Sequence, residues 1–470
     1  MKYYVLNLGC AMNQADSERI QTVLGSLGYE KTEDEDQADL LGIVACSVRQ
    51  KSIDRVYHKI HNWNIRKDRK NLLTFVSGCI LPADEAKFLK KFDLLFRINE
   101  LYKVPDMIRQ YGVVTPWAGD QREIEDQIQG GSEPAASVLT SVAPILHSLQ
   151  IKKSPQDPLG DFWNVAPTYT SAYEAHVPIQ NGCDKFCTFC AVPYTRGREV
   201  SRPSDEILRE VEDLVNRGFK SITLLGQNVN SYGLDKQGQE ISFAQLLEKI
   251  GQMGIGKPPF WVYFTSPHPR DMGVDVLETV AKYPVLAKQI HLPLQSGDEK
   301  VLIRMNRNHG MDQYREIVEN IRRILPEATL FTDIIVGFTG ESEEQFMNSL
   351  RAMEEFKYQM AFIASYSPRP GAASSQWKDD IPLDEKKSRL HRLTQVMLDT
   401  SYEYNLKQVG KVIPILVERP DKKQGYLSGR TEGRILVRFA SERKDLVGQF
   451  INLKITSAVP LSLEGVIQEP

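Results

Sequence analysis

Over the first hundred residues, short apolar runs alternate with longer stretches whose apolar residues recur every three or four positions. Tyr3-Tyr4-Val5-Leu6-Asn7-Leu8, Leu40-Leu41-Gly42-Ile43-Val44 and Leu72-Leu73-Thr74-Phe75-Val76 read as strands. The intervening stretches, about residues 14–27 and 48–65, read as helices. Apolar strands alternating with amphipathic helices predict βαβ units and a parallel sheet. The pattern breaks over 117–166, at Gly130-Gly131-Ser132-Glu133-Pro134, the acidic run 123–126, Pro155 and Pro158. This predicts a linker or insert, with one short helix over 139–149.

From Ala175 the alternation resumes and runs to about Tyr404. Predicted strands are Ala175–Ile179, Ser221–Leu225, Trp261–Phe264, Gln289–Leu292, Leu330–Ile335 and Met360–Ser365. Helices such as Ser204–Arg217, Phe243–Ile250 and Met311–Ile324 separate them. Six such units predict a partial (β/α) barrel, with its site at the strand C-termini. Beyond a charged helix over 383–407, short strands at 412–417, 425–429, 435–439 and 450–455 predict a small OB-like barrel. The expected fold class is therefore α/β. It comprises an N-terminal parallel α/β domain (1–116), an insert (117–166), a central partial (β/α) barrel (167–404) and a C-terminal small β-barrel (405–470).

Composition narrows the class only a little. Of 470 residues, 41% are hydrophobic and 25% charged, which excludes wholesale disorder. The net charge of −3 does not mark a nucleic-acid binder by itself, but it is unevenly spread. Residues 407–470 carry 11 Lys and Arg against 7 Asp and Glu, a net +4, leaving −7 for the rest. No apolar run reaches the roughly 18–20 residues that span a bilayer, so no membrane partner is expected. Leu8-Gly9-Cys10 invites comparison with a lipoprotein signal, but Asn7 interrupts the short apolar stretch before it. A cytoplasmic protein is expected.

The six cysteines change the picture. Cys10, Cys46 and Cys79 each follow a predicted strand, preceded by Gly9, Ala45 and Gly78. Loops at one edge of a parallel sheet can bring three such residues into one site, and a small neighbour leaves room for a bulky ligand. Cys183, Cys187 and Cys190 form Cys-x-x-x-Cys-x-x-Cys. A loop of this spacing can aim three thiolates at one metal centre. Structural zinc wants four closed ligands, and no fourth Cys or His lies nearby. A 4Fe–4S cluster on three thiolates keeps one iron open.

That triplet, within Asn181–Cys190, is the signature of the radical S-adenosylmethionine (SAM) superfamily. With Gly9–Ser17, Pro193–Arg202, Leu225–Gly233, Leu292–Asp298, Met305–Arg307 and Thr332–Phe338, the chain resembles the radical SAM methylthiotransferases outside 117–166. The resemblance implies two 4Fe–4S clusters and SAM. Cys183, Cys187 and Cys190 would hold the cluster whose open iron chelates SAM. Cys10, Cys46 and Cys79 would hold an auxiliary cluster; the alternative for these three is buried structural thiols. The resemblance further implies that SAM serves twice, once as methyl donor and once as radical source. The chemistry then belongs to the cofactors, and no conventional general base is assigned.

Phe189, inside the triplet, occupies the aromatic position expected to pack against the SAM adenine. Gly226, Gln227 and Asn228 follow a predicted strand, and Gln295, Ser296 and Asp333 lie at predicted strand ends; all six are candidate SAM contacts. Each could instead fix a barrel loop. Gly337-Phe338-Thr339-Gly340-Glu341 lacks the Gly-Lys-Ser/Thr of a phosphate loop, which excludes a nucleotide triphosphatase. His268, His291 and His309 could touch substrate, although a lone histidine is more often structural.

The implied substrate is a tRNA anticodon stem-loop, held through phosphates with the target base turned into the site. Arg196, Arg198 and Arg202 follow the triplet and are expected to meet those phosphates, with intramolecular ion pairing as the alternative. The C-terminal module resembles a TRAM domain, where Arg430, Arg434 and Arg438 are candidate RNA contacts; even spacing would put Arg434 and Arg438 on one strand face. Lys51, Arg55, Lys59, Arg66, Lys67, Arg69 and Lys70 make a second basic region, a pattern that is more often a solvated helix face than a binding site. The expected reaction is methylthiolation at C2 of isopentenylated adenosine beside the anticodon. Alternatives are threonylcarbamoyladenosine, an aspartate of a ribosomal protein, or a noncatalytic iron–sulfur RNA-binding module. A low-potential electron donor and a sulfur or iron–sulfur delivery protein complete the expected partners.

Overall fold

The computed structural model describes residues 1–47, 50–67, 70–111 and 159–468. Most of the insert, its expected helix over 139–149, and Arg69 lie outside the described residues. The described chain divides into two compact units. The first is Met1–Thr170 with Tyr194–Arg196, and the second is Ser171–Pro193 with Gly197–Pro470.

In the first unit, β1 (Lys2–Asn7), β2 (Glu30–Lys31), β3 (Leu40–Cys46), β4 (Leu73–Cys79) and β5 (Leu94–Leu95) form one parallel sheet. Its order is β2-β1-β3-β4-β5. β3 and β4 are buried along their whole length, which explains why they are unbroken apolar runs. Helix Gln50–Lys67 sets Ile53, Val56, Ile60 and Trp63 against Leu41, Ile43, Ala45 and Val76 of the sheet. Its polar face is taken up by pairs: Lys59 with Glu35, Lys67 with Asp93, and Arg66 with Asp36. Helix Ala11–Ser26 starts three residues earlier than its apolar spacing suggests, because it also buries Asn13, Asp16, Ser17, Glu18 and Arg19. Residues 166–170 lie along it, with Thr22 Oγ1 donating to the Ala166 carbonyl and Thr170 to Glu18.

In the second unit six strands run in sequence order as two parallel ladders. One is β6 (Glu174–Pro178), β9 (Ser221–Leu225) and β10 (Trp261–Phe264). The other is β11 (Gln289–His291), β12 (Thr329–Val336) and β13 (Met360–Ser365). Val262 joins them, donating to the Val285 carbonyl and accepting from Ala287 N at 2.7 and 3.0 Å. A small hairpin, β7 (Gln180–Asn181) with β8 (Val200–Ser201), brackets the cysteine triplet. This is the expected partial barrel. Helices such as Ser204–Asn216, Phe243–Met253 and Met311–Ile324 connect its strands.

After helix Leu383–Leu406, the strands β14 (Val412–Pro420), β15 (Tyr426–Thr431), β16 (Leu436–Ala440), β17 (Phe450–Val459) and β18 (Ser462–Ile467) close into a barrel. Sequence patterning missed β18, whose apolar residues are interrupted by Glu464 and Gly465 and form no long apolar run. The small barrel does not hang free. Its core residues Val417, Leu427, Val437 and Leu453 pack with Phe331 of β12 and Met360 of β13. Leu416 and Phe450 pack with Trp261, Tyr263 and Ala287. The turn between β15 and β16 goes further. Arg434 donates to Thr223 Oγ1 at 2.9 Å and lies 3.9 Å from the Tyr263 ring centroid. Tyr263 and Thr329 donate to the carbonyls of Glu432 and Gly433, and Glu432 accepts from Lys288 N. Arg434 therefore belongs to a turn that binds the central strands. It shares no strand face with Arg438 and is not held out for RNA.

A Cβ on Gly433 would fall 2.5 Å from Thr329 Cγ2. Gly433→Val should therefore lever this turn out and cost about 1–3 kcal/mol, as overpacking does. Thermal or urea unfolding checks it, and an unchanged midpoint would contradict the seating of this turn.

Candidate functional site: two cysteine trios

The parallel register of the first sheet does the assembling. Cys46 and Cys79 end β3 and β4 and are direct register partners. Cys10 follows β1 and precedes helix Ala11–Ser26. The hub is Asn13, fully buried one turn into that helix. Its Oδ1 accepts from Cys10 Sγ at 3.5 Å, and its Nδ2 donates to the Ala45 carbonyl at 3.0 Å and lies 3.8 Å from Cys79 Sγ. The small residues before the cysteines thus make room for Asn13 itself. A Cβ on Gly9 would meet Asn13 Oδ1 at 2.2 Å, and Gly78, at φ +103°, would meet the Ala45 carbonyl oxygen at 2.5 Å. A hydrogen bond with Cys46, and then burial, push the Cys79 thiol well above its usual pKa.

Arg196 pulls the other way. Its Nε donates to Cys79 Sγ at 3.0 Å, and its guanidinium forms a buried ion pair with Asp16. Burial alone would lower its pKa, but Asp16, Cys79 and Cys10 hold it above the usual arginine value. Its side chain is 4% exposed, so the expected phosphate contact at Arg196 is not available.

The second trio sits on the loop leaving β7. Cys183 and Cys187 are buried and Cys190 half-buried. The loop is tied down at its backbone: Gly182 N donates to Gln227 Oε1 at 2.6 Å, Cys183 N to the Gly197 carbonyl, and Cys190 N to the Cys187 carbonyl. Asn306 Nδ2 donates to the carbonyls of Lys185 and Phe186, and Thr188 bonds the backbone of Arg304 and Met305. Lys185 pairs with Asp271 at 2.6 Å, and Asp271 also accepts from Asn228. Buried Arg307 donates to Cys187 Sγ at 3.4 Å and to the Pro293 carbonyl. Burial pushes the Cys183 thiol up to about 11 and the Cys190 thiol up to about 12.

Among the described residues, no three Cys, His, Asp or Glu side chains converge on a single-ion site. A four-iron cubane asks for something else, since each thiolate takes a different iron. Three thiols on an anchored loop, with an arginine donating to one sulfur, fit such a group. A 4Fe–4S cluster held by the three thiols of the second trio would keep one iron open.

The candidate SAM residues divide by what they touch. Phe189 packs with Ile335 against Val301, Met305, Phe338 and Tyr366. Gly226 follows β9, with Gln180 Oε1 3.0 Å from where its Cβ would be. Gln227 and Asn228 brace the triplet loop as described. Gln295, at φ +73°, bonds its backbone to Asp333 and Ile335, and fully buried Ser296 is held by Ser349. The Gly337–Glu341 turn is closed by Glu341, which accepts from Gly337 N and Arg389. His268 is spent on its own turn, accepting from Arg270 N, and burial lowers its pKa far below the usual value. Burial likewise lowers His309 to about 4. His291 is different: its Nε2 donates to Asp333 Oδ2 at 2.7 Å.

Arg202 is also buried, paired with Glu206 and Glu210, so its expected RNA contact is corrected along with that of Arg196. Arg198 is 72% exposed, beside Asp184 and over the Phe186 ring. Arg430 and Arg438 stay partly exposed beside Glu418 and Asp421. Sequence reasoning missed Asn13, Asp16 and Arg307. All three lie inside the matched motifs, but only burial beside sulfur gives them a role.

Comparison with known proteins agrees with this architecture. The radical SAM superfamily model matches residues 177–353, the TRAM domain model 406–467, and uncharacterized protein family UPF0004 residues 2–96. The chain is thus a radical SAM enzyme with a C-terminal TRAM domain. It is 36% identical to a tRNA-2-methylthio-N(6)-dimethylallyladenosine synthase of Clostridium perfringens, over 99% of this chain and 98% of that one. It is 37% identical to the enzyme of that name from Dictyoglomus thermophilum, over 100% and 99%. A third, from Syntrophomonas wolfei subsp. wolfei, is 36% identical over 99% and 98%. The chain belongs to this family of radical SAM methylthiotransferases. Among the described residues, no helix is long and apolar enough to cross a membrane.

Two outcomes follow from the buried charges. Asp16→Asn leaves the Arg196 guanidinium buried without its counter-charge and should cost about 3–5 kcal/mol. Iron bound per chain should fall with it; unfolding curves and iron analysis check both. Glu199 is buried, accepts from Ser231 at 2.5 Å, and burial raises its pKa to about 7. Its folded pKa lies above the unfolded one, so its contribution is complete below about pH 4.5 and lost as pH rises through about 7. Thermal melts from pH 5 to 8 should show a decline of up to roughly 3 kcal/mol that Glu199→Gln flattens.

Proposed function

We propose that this protein methylthiolates C2 of N6-isopentenylated adenosine beside the anticodon of tRNA, using SAM and two iron–sulfur clusters. The observation that carries it is the repetition of one arrangement. Each cysteine trio is gathered by backbone and amide contacts, and each has a buried arginine donating to one sulfur, Arg196 to Cys79 and Arg307 to Cys187. Neutral structural thiols have no need of a buried cation. Thiolates on a cluster do, because they carry charge into a low-dielectric interior.

When bound, the clusters and SAM supply the electron, the methyl group and the radical that an unreactive aromatic C–H requires. The chain's own residues supply position and shelter. Gln227, Asn306 and Thr188 fix the loop of Cys183, Cys187 and Cys190. Phe189 offers an apolar surface against Ile335, suited to the adenine of SAM. Asn13 sets the spacing of Cys10 and Cys79. Of the six arginines expected to meet RNA, Arg198, Arg430 and Arg438 are open enough to reach tRNA phosphates. The reading also calls for a low-potential electron donor, a sulfur or iron–sulfur delivery protein, and residence in the cytoplasm with tRNA.

The test is nucleoside mass spectrometry of tRNA from a methylthiotransferase-deficient host with and without this gene. We expect 2-methylthio-isopentenyladenosine with the gene and none with Cys183→Ala or Cys10→Ala. The threonylcarbamoyl analogue instead would move the substrate, and neither product from iron-loaded protein would favour a noncatalytic role.

A further inference from the structure

The inner face of β11–β13 holds a group of side chains that neither cluster accounts for. Along β12, Thr332, Ile334 and Val336 are buried on one face. Phe331, Asp333 and Ile335 share the other face by strand alternation. Phe331 belongs to the core shared with the small barrel, and Ile335 packs beside Phe189 of the cysteine loop. Asp333 lies between them, about 7 Å along the strand from each. Its register partner on β13 is Phe362. The Phe362 side chain is not core: it is 53% exposed. Its ring lies 5.7 Å from that of His291, whose Nε2 donates to Asp333. Ala364, the partner of Ile335, is exposed on the same face.

From this geometry we infer that Phe362 and Asp333 read the N6 substituent of the target adenine, with His291 positioning the Asp333 carboxylate. The inference rests on the substrate reading above and deepens it. An isopentenylated adenine presents a branched apolar chain and one remaining N6–H. Phe362 and Ala364 offer the apolar wall, and the carboxylate beside them accepts from the N–H. A threonylcarbamoyl group instead carries its own carboxylate, which Asp333 repels in a partly desolvated site. Ala364, at one end of this wall, is the register partner of Ile335, which packs beside Phe189, so a base seated on it is adjacent to the triplet loop. Asp333 thereby moves from the cofactor to the substrate.

The test uses SAM-loaded, cluster-reconstituted protein and three anticodon stem-loops, bearing adenosine, isopentenyladenosine or threonylcarbamoyladenosine at the target position. Dissociation constants and SAM bound per chain are measured for each variant. The unaltered protein should prefer the isopentenyl stem-loop by about tenfold or more. Phe362→Ala should bring that ratio within about twofold of unity while SAM binding and affinity for the unmodified stem-loop stay unchanged. Phe362→Gln, polar at a half-exposed position, gives the same readout should the alanine variant fold poorly. Asp333→Asn should relax the exclusion of the threonylcarbamoyl stem-loop. An intact isopentenyl preference in both Phe362 variants overturns the assignment, as does loss of SAM binding in Asp333→Asn. A preference of the unaltered protein for threonylcarbamoyladenosine overturns the substrate reading itself, and with it this one.

Discussion

In a parallel ladder every strand leaves the sheet at the same edge. Residues far apart in sequence therefore become neighbours there, and their spacing is set by backbone hydrogen bonds rather than by their own chemistry. Cys46 and Cys79 are brought side by side in this way, and Cys10 arrives at the same edge from β1. The second trio needs no such help, because its spacing is local, but its loop is held by residues that again sit beyond strand ends. Gln227 follows β9, and Asn306 and Arg307 lie on the connection after β11. Reactive thiols are thus placed by the least reactive part of the molecule.

Placing sulfur in a protein interior creates an electrostatic obligation, and the chain meets it with buried guanidinium groups. A planar guanidinium can serve an acceptor on two sides at once. Arg196 serves Asp16 and Cys79, and Arg307 serves Cys187 and the Pro293 carbonyl. Asp16 offsets the desolvation of Arg196, so the cation is retained whether the thiols are protonated or not. The same logic runs through the second unit with no sulfur involved, where Arg389 is buried against Glu341.

These burials explain which parts of the protein could be read from its sequence. Period and composition suffice for the parallel sheet, the six-stranded partial barrel and the closed C-terminal barrel, because apolar runs report burial directly. The cysteines were legible because they are few and their spacing is rigid. Arginine is harder to read. Arg196, Arg202 and Arg434 look in sequence like surface charges beside an RNA site, yet the first two find acidic partners inside and the third finds Tyr263. Nothing in the order of residues says that Asp16 lies next to Arg196, 180 positions on. Asn13 was hidden for a related reason: an amide in a helix reads as a polar face until the sheet edge closes around it.

The turn of Glu432, Gly433 and Arg434 carries a consequence for how the molecule comes into being. Chains are made from the N-terminus, and domains generally fold as units during synthesis. The strands carrying Thr223, Tyr263 and Thr329 leave the ribosome long before residues 432–434 exist. For that interval Trp261, Tyr263, Phe331 and Met360 lack the surface that will cover them. The nascent enzyme passes through a stage with its catalytic barrel formed and its flank bare, until the strands over 412–467 are translated and cover it.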